Sequence, residues 1–242
     1  MANRFGMLPH LLLFDIDGTL VDTGGVGMAA IKAALCELYP VEVEAAGGAP
    51  DLDLGGSTDS GIVMELFSKI GIEDSPEERS RFYTSYLCRL RESLGVPGTR
   101  GRLLDGVGIL LENLAGLAAQ GEVMVGLLTG NLAEGARVKV DYYGVGEHFH
   151  FGAYGDDHHD RNLLGPVAVR RAGEHLGRDL SGAMATVIGD TPKDIRCARA
   201  MGARVVAVAT GNISEAELAH HEPDVLMPDF SDLGAAKSAL GI

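Results

Sequence analysis

Four apolar residues, Leu11 to Phe14, run into Asp15-Ile16-Asp17-Gly18-Thr19, and no other stretch of the chain constrains the fold as much. A short apolar run of this kind reads as a strand buried in a sheet. Its carboxyl end, where Gly18 breaks the chain, is the edge at which open α/β sheets bind ligands. Residues two apart in a strand share a face. Asp15 and Asp17 therefore either face one substrate together, or offer one side chain and one backbone carbonyl to a cation. Taken alone, the pattern also fits a strand that simply exits into a polar turn.

After Thr19 the pattern becomes helical, with helices expected near 25–39, 57–70 and 77–94. Ser75-Pro76-Glu77-Glu78 is a helix start: Ser as N-cap, Pro at the first helical position, acids in the first turn. The acidic, Gly- and Ala-rich stretch 42–56 reads as a mobile loop. From about Gly101 strands and helices alternate. Strands are expected at Val123–Leu128, Phe149–Tyr154, Ala185–Ile188, Val205–Val208 and Asp224–Leu226, and helices near 106–120, 132–143, 163–177, 193–202 and 214–220. Such alternation means βαβ units. The expected fold is α/β: a Rossmann-like, mainly parallel sheet core from residues 1–22 and 100–242, with an inserted α-helical cap at 23–99.

A chain of 242 residues has ample material for such a core. The apolar stretch Met7 to Phe14 is too short for a signal peptide and runs straight into acids. No apolar run reaches the roughly 18 residues of a membrane span. Cys36, Cys88 and Cys197 are odd in number and widely spaced, as expected of reduced thiols in a cytoplasmic protein. The net charge of −14 argues against a nucleic-acid partner. An anionic substrate would need local positive charge against that field, from a cation and a placed Lys or Arg.

Two further strand ends carry chemistry. In Leu128-Thr129-Gly130-Asn131, Thr129 and the Gly130 N–H are placed to hold a phosphate oxygen at a helix start, although Thr-Gly-Asn also reads as an ordinary cap. In Gly189-Asp190-Thr191-Pro192-Lys193-Asp194, Asp194 follows Asp190 by one helical turn. Right-handed crossovers bring all these strand ends to one edge. Asp15, Asp17, Asp190 and Asp194 then form an oxygen-only cluster suited to Mg2+. Each pair at ~4 Å would repel by ~4 kcal/mol at an effective dielectric of ~20, which a cation would relieve.

These three motifs, in this order and spacing, resemble those of the haloacid dehalogenase-like hydrolase superfamily, over nearly the whole chain. The helical block after the first motif is similar to the cap of phosphoglycolate phosphatase-like and β-phosphoglucomutase-like members. The resemblance implies that Asp15 is a nucleophile that becomes an aspartyl phosphate, and that Asp17 protonates the leaving oxygen and then deprotonates water. It further implies that Mg2+ is held by the Asp15 carboxylate, the Asp17 carbonyl, Asp190 and Asp194, the last directly or through water. Thr129, Gly130 and Asn131 would bind the phosphoryl group. Dehalogenases of the superfamily lack an acid at the position of Asp17, so its presence favours phosphoryl transfer.

One motif departs from the pattern. A Lys is usual before the helix that precedes the last acidic motif, whereas this chain reads Gly155-Asp156-Asp157-His158-His159-Asp160-Arg161-Asn162. Arg161 is the expected substitute, with Lys193 next and Arg170 or Arg171 behind. The Asp and His residues of 156–160 read as a solvated acidic loop, a second metal site being the lesser reading. Gly55-Gly56-Ser57-Thr58-Asp59 is either a specificity loop in which Thr58 and Asp59 meet the substrate, or a plain helix cap. Hinges are expected near Asp22–Gly25 and Val96–Gly101. The leading expectation is a phosphatase for a small phosphate ester, phosphoglycolate-like first. A sugar-phosphate mutase and a non-catalytic phosphate-ligand protein stand as alternatives, and the oligomeric state is open.

Overall fold

The computed structural model describes residues 9–51, 55–96 and 101–242. In the first part of the chain β1 (His10–Phe14) and β2 (Val21–Asp22) precede four helices, α1 (Val26–Leu38), α2 (Pro40–Ala45), α3 (Asp59–Ile70) and α4 (Pro76–Leu94). Then come β3 (Arg102–Leu103), α5 (Val107–Ala119), β4 (Val123–Leu128), α6 (Ala133–Tyr142), β5 (Gly152–Ala153) and α7 (Leu164–Leu176). The chain ends with β6 (Ala185–Gly189), α8 (Pro192–Ala200), β7 (Arg204–Val208), α9 (Glu215–His220), β8 (Val225–Met227) and α10 (Leu233–Leu240).

β1 lies inside a six-stranded sheet of order β5-β4-β1-β6-β7-β8, in which every pairing is parallel. Its apolar run is explained by burial on both faces. Leu12 and Phe14 join one core with Val107, Leu110 and Leu114 of α5 and with Ala236 and Leu240 of α10. Leu11 and Leu13 join the opposite core with Leu164 and Ala168 of α7 and Ile195 of α8. Period-two alternation thus divides one strand between two cores, which is the signature of helices on both sides of a parallel sheet.

Helices α1 to α4 bury a separate cluster, in which Phe67 packs edge-on to both Tyr39 (5.5 Å between ring centres) and Phe82 (5.7 Å). Leu132 joins this cluster from the loop before α6. Ser75 caps α4 as its sequence suggests, accepting from the Glu78 N–H at 3.2 Å. β2 and β3 pair antiparallel, Val21 opposite Leu103 and Asp22 opposite Arg102, so the chain leaves and rejoins the sheet side by side. Of the expected hinges, Gly24 and Gly25 adopt left-handed φ of 64° and 83°, while positions 97–100 of the second lie outside the described residues.

Several expectations need correction. The stretch 42–56 is not all loop, because α2 starts on Pro40 and runs to Ala45; positions 52–54 are outside the described residues. The strand expected over Phe149–Tyr154 shrinks to Gly152–Ala153 on the sheet edge, where a single partner suffices. Helix α10 was not expected: Leu-Gly-Ala-Ala-Lys-Ser-Ala-Leu carries too weak an apolar stripe, yet Ala236, Ala239 and Leu240 close the first core. Among the described residues no helix is long and apolar enough to cross a membrane.

Candidate active site

The carboxyl ends of β1, β4, β5 and β6 meet at one edge of the sheet, and this places residues far apart in sequence side by side. Asp15 follows β1 directly; its N–H donates to the Ile188 carbonyl of β6 at 2.9 Å, and the residue is only 4% exposed. The next residues double back, with the Gly18 N–H donating to the Val21 carbonyl at 2.8 Å. Gly18 has φ +79°, and an added Cβ would fall 2.3 Å from an Asp190 carboxylate oxygen. Only glycine allows both the left-handed turn and that approach.

Asp190 ends β6 and accepts from the Thr19 hydroxyl at 3.1 Å. Asp194 lies in the first turn of α8, where Thr191 and Asp194 form a capping box: Asp194 Oδ2 accepts from the Thr191 N–H (3.0 Å) and hydroxyl (2.6 Å). One carboxylate oxygen from each of Asp15, Asp190 and Asp194 lies within 4.8 Å of the others. Crowding and burial oppose ionisation of Asp15 and Asp190. Burial first, with opposition from Arg161 and reinforcement from Asp194 and Asp17, pushes Asp15 up to about 6. Burial, Asp194 and Asp15 raise Asp190 well above the carboxylate range. An oxygen-only donor set that is over-supplied with negative charge fits a hard divalent cation such as Mg2+.

Arg161 supplies the positive charge. Its residue is 6% exposed, Nη2 lies 3.2 Å from Asp15 Oδ1, and the same nitrogen bonds Asp194 Oδ1. It also donates to the carbonyls of Gly56 (3.1 Å) and Leu128 (3.3 Å). The other cations considered lie elsewhere: Lys193 bonds the Ser57 hydroxyl, Arg170 pairs with Glu174, and Arg171 pairs with Asp157. Among the described residues, Arg161 Nε is the one buried side-chain nitrogen or oxygen without a hydrogen-bond partner. A buried donor of this kind is costly to leave unmet.

Asp17 is the member of the expected acid cluster that turns away. Its half-exposed side chain pairs with Lys139, Nζ lying 2.6 Å and 2.8 Å from the two oxygens, and Asn131 Nδ2 donates to it at 2.8 Å. Burial would raise Asp17, but the Lys139 charge and the hydrogen bonds of Lys139, Asn131 and Thr23 hold it below its usual range. Asn131 does not cap α6, which starts after Leu132; its amide instead joins Asp17 to the Thr129 hydroxyl (2.8 Å). Sequence reasoning missed Lys139. The available signal was a lysine on the same helical face as Ala136 and Val140, both buried.

The 55–59 segment lies against this edge. Thr58 caps α3 and its hydroxyl donates to the His159 carbonyl at 2.6 Å, so it serves as cap and bridge at once. Asp59 N–H donates to the Gly130 carbonyl (2.7 Å), and its carboxylate accepts from the Leu132 N–H (2.9 Å). Burial pushes Asp59 up to about 6 against the pull of Lys139. Gly130 touches the segment so closely that a Cβ would lie 2.0 Å from the Ser57 carbonyl oxygen. In the 156–160 loop Asp156 accepts from the Ala133 N–H and Asp157 pairs with Arg171, so these acids are spent on structure.

Comparison with known proteins places the chain beside hydrolases and phosphatases. Residues 164–233 match a family model described as HAD-hydrolase-like, a region that contains Asp190 and Asp194. A protein named "Probable phosphatase IndB" from Dickeya dadantii is 28% identical over 95% of this chain and 94% of its own. A phosphoglycolate phosphatase of Pseudomonas syringae is 25% identical over 94% of this chain and 79% of its own. The crystal structure of CbbY from Rhodobacter sphaeroides in complex with phosphate covers 97% of this chain and 100% of its own at 16% identity, with a TM-score of 0.68, and so shares the fold.

Proposed function

The chain belongs to the haloacid dehalogenase-like hydrolases, and on that premise we propose that it is a Mg2+-dependent phosphatase acting on a small, phosphoglycolate-like phosphate ester. The observation that carries the proposal is the setting of Asp15, a buried carboxylate at a strand end, 3.2 Å from a guanidinium whose Nε lacks a protein partner. The two phosphatase-named relatives support the reaction class.

In this reading an Asp15 oxygen attacks phosphorus and the ester oxygen departs, leaving an aspartyl phosphate. Arg161 offsets the charge of nucleophile and phosphoryl group, its forked donors matching phosphate oxygens. Both bonds from Asn131 to Thr129 Oγ1 use it as acceptor, so its own proton is left for a phosphoryl oxygen, alongside the Gly130 N–H. Asp17 gives a proton to the leaving oxygen and later takes one from the attacking water. It rests ionised, and arriving phosphate charge raises its affinity for the proton it must first carry. Mg2+ held by Asp15, Asp190, the Asp17 carbonyl and Asp194 would neutralise charge where the two anions meet.

The same reading divides the chain into a core of residues 1–22 and 100–242 and a cap of 23–99 that closes over the site and excludes water. Thr58 and Asp59 then belong to the loop that meets the substrate. The deciding experiment is phosphate release from a panel of small esters with and without Mg2+, comparing the native chain with Asp15→Asn. Release that needs both the metal and Asp15 supports the proposal. Exchange of phosphate between sugar positions without net release would assign a mutase, and binding without turnover a phosphate-ligand protein; either result replaces it.

A further inference from the structure

Lys139 is 3% exposed on α6, where a leucine or methionine would satisfy the packing between Ala136 and Val140. Burying an ammonium costs several kcal/mol unless every proton finds an acceptor. Here each does: Asp17 Oδ2 at 2.6 Å, Asp17 Oδ1 at 2.8 Å and Asn131 Oδ1 at 2.6 Å. Asn131 closes the ring with its amide on Asp17 Oδ2 and on Thr129 Oγ1, both at 2.8 Å. Thr23 adds a 3.5 Å contact to Asp17 Oδ1. Asp17 is therefore gripped at both oxygens, and none of the three Lys139 bonds goes to Asp15, Asp190 or Asp194.

We infer that Lys139 is a positioning residue: with Asn131 it fixes the rotation of the Asp17 carboxylate for proton exchange at the leaving oxygen. The inference rests on the reading of Asp17 as the acid–base group. It assigns Lys139 no contact with phosphate and no part in holding metal.

The test exploits leaving-group chemistry. An alkoxide needs a proton to depart, whereas p-nitrophenolate scarcely does, and kcat/KM reports only the steps up to that departure. Lys139→Met should lower kcat/KM for 2-phosphoglycolate about 30- to 100-fold, yet lower it for p-nitrophenyl phosphate less than about threefold. For the aryl ester kcat should fall together with KM, because hydrolysis of the aspartyl phosphate still requires Asp17. Lys139→Arg should restore part of the alkyl rate. Equal losses on the two esters overturn the inference, since damage to folding or to phosphate binding treats both alike. Should Lys139→Met not fold, Lys139→Gln goes through the same comparison, and an unchanged aryl-to-alkyl ratio overturns it. A crystal structure of the variant is the readout that needs no turnover. Rotation of Asp17 away from Asn131 supports the positioning role and an unmoved Asp17 overturns it, whereas a native chain that hydrolyses no ester overturns instead the reading of Asp17 as the acid–base group.

Discussion

Arg161 Nη2 lies 3.2 Å from Asp15 Oδ1 and bonds Asp194 Oδ1 as well, so one guanidinium serves two buried carboxylates, one following β1 and one in the first turn of α8. Removing it would strand both. Arg161→Met should cost about 3–5 kcal/mol in urea denaturation, the usual result of orphaning buried charge, and abolish phosphate release. Arg161→Lys keeps a charge but loses the fork, so it should stay folded and lose about tenfold in kcat/KM. Wild-type stability in Arg161→Met would show that the pairing is not structural.

Asp59 predicts a pH effect with a definite sign. Its carboxyl is pushed from 3.8 to about 6 by burial. Below about pH 4 it is protonated folded or unfolded and costs nothing. As pH rises from about 4 to about 6 only the unfolded chain gives up its proton freely, so stability on the order of 3 kcal/mol is lost across that window. Asp59→Asn keeps an acceptor for the Leu132 N–H but cannot ionise. Its melting temperature should therefore gain on that of the native chain between pH 4.5 and 7.5, and a difference that stays constant with pH would refute the assignment.

Asp190 tests the cation. Without metal, Asp190→Asn removes one of three crowded acids and should leave the melting temperature equal or higher. With Mg2+ the native chain should gain several degrees at pH 7.5 and less at pH 5, where protons compete for the same oxygens. Asp190→Asn should gain none and lose more than about 100-fold in activity. An equal Mg2+ shift in the variant would move the metal elsewhere.

Gly130 tests the contact with the 55–59 segment. Gly130→Ala places a Cβ 2.0 Å from the Ser57 carbonyl oxygen, which must retreat and break the Asp59 N–H bond to the Gly130 carbonyl. Misplacement by about 1 Å costs on the order of 100-fold in rate. We expect a fall in kcat/KM of about 10- to 100-fold, with circular dichroism unchanged. Native activity would show that this approach has no role in turnover.

Much of the architecture is legible in the chain because burial on both faces writes uninterrupted apolar strands such as Val123–Leu128. Asp15, Asp190 and Asp194 are legible because each follows such a strand or opens the next helix. What escapes has a common physical cause. α10 and the short extent of β5 are set by partners remote in sequence, and neither Leu233–Leu240 nor Gly152–Ala153 has a strong local pattern. Lys139 and the turning of Asp17 depend on which way two side chains point, information that local periodicity only hints at.

Residues 58–60 hold the sheet edge by its main-chain atoms: Thr58 on the His159 carbonyl, Asp59 on the Gly130 carbonyl and the Leu132 N–H, and Ser60 on the Gly155 carbonyl. Every residue type presents the same carbonyl. Drift among the side chains of Asp156, His158 and His159 therefore leaves this seam intact, and the two surfaces it joins are free to diversify at different speeds, one keeping its chemistry while the other explores new ligands.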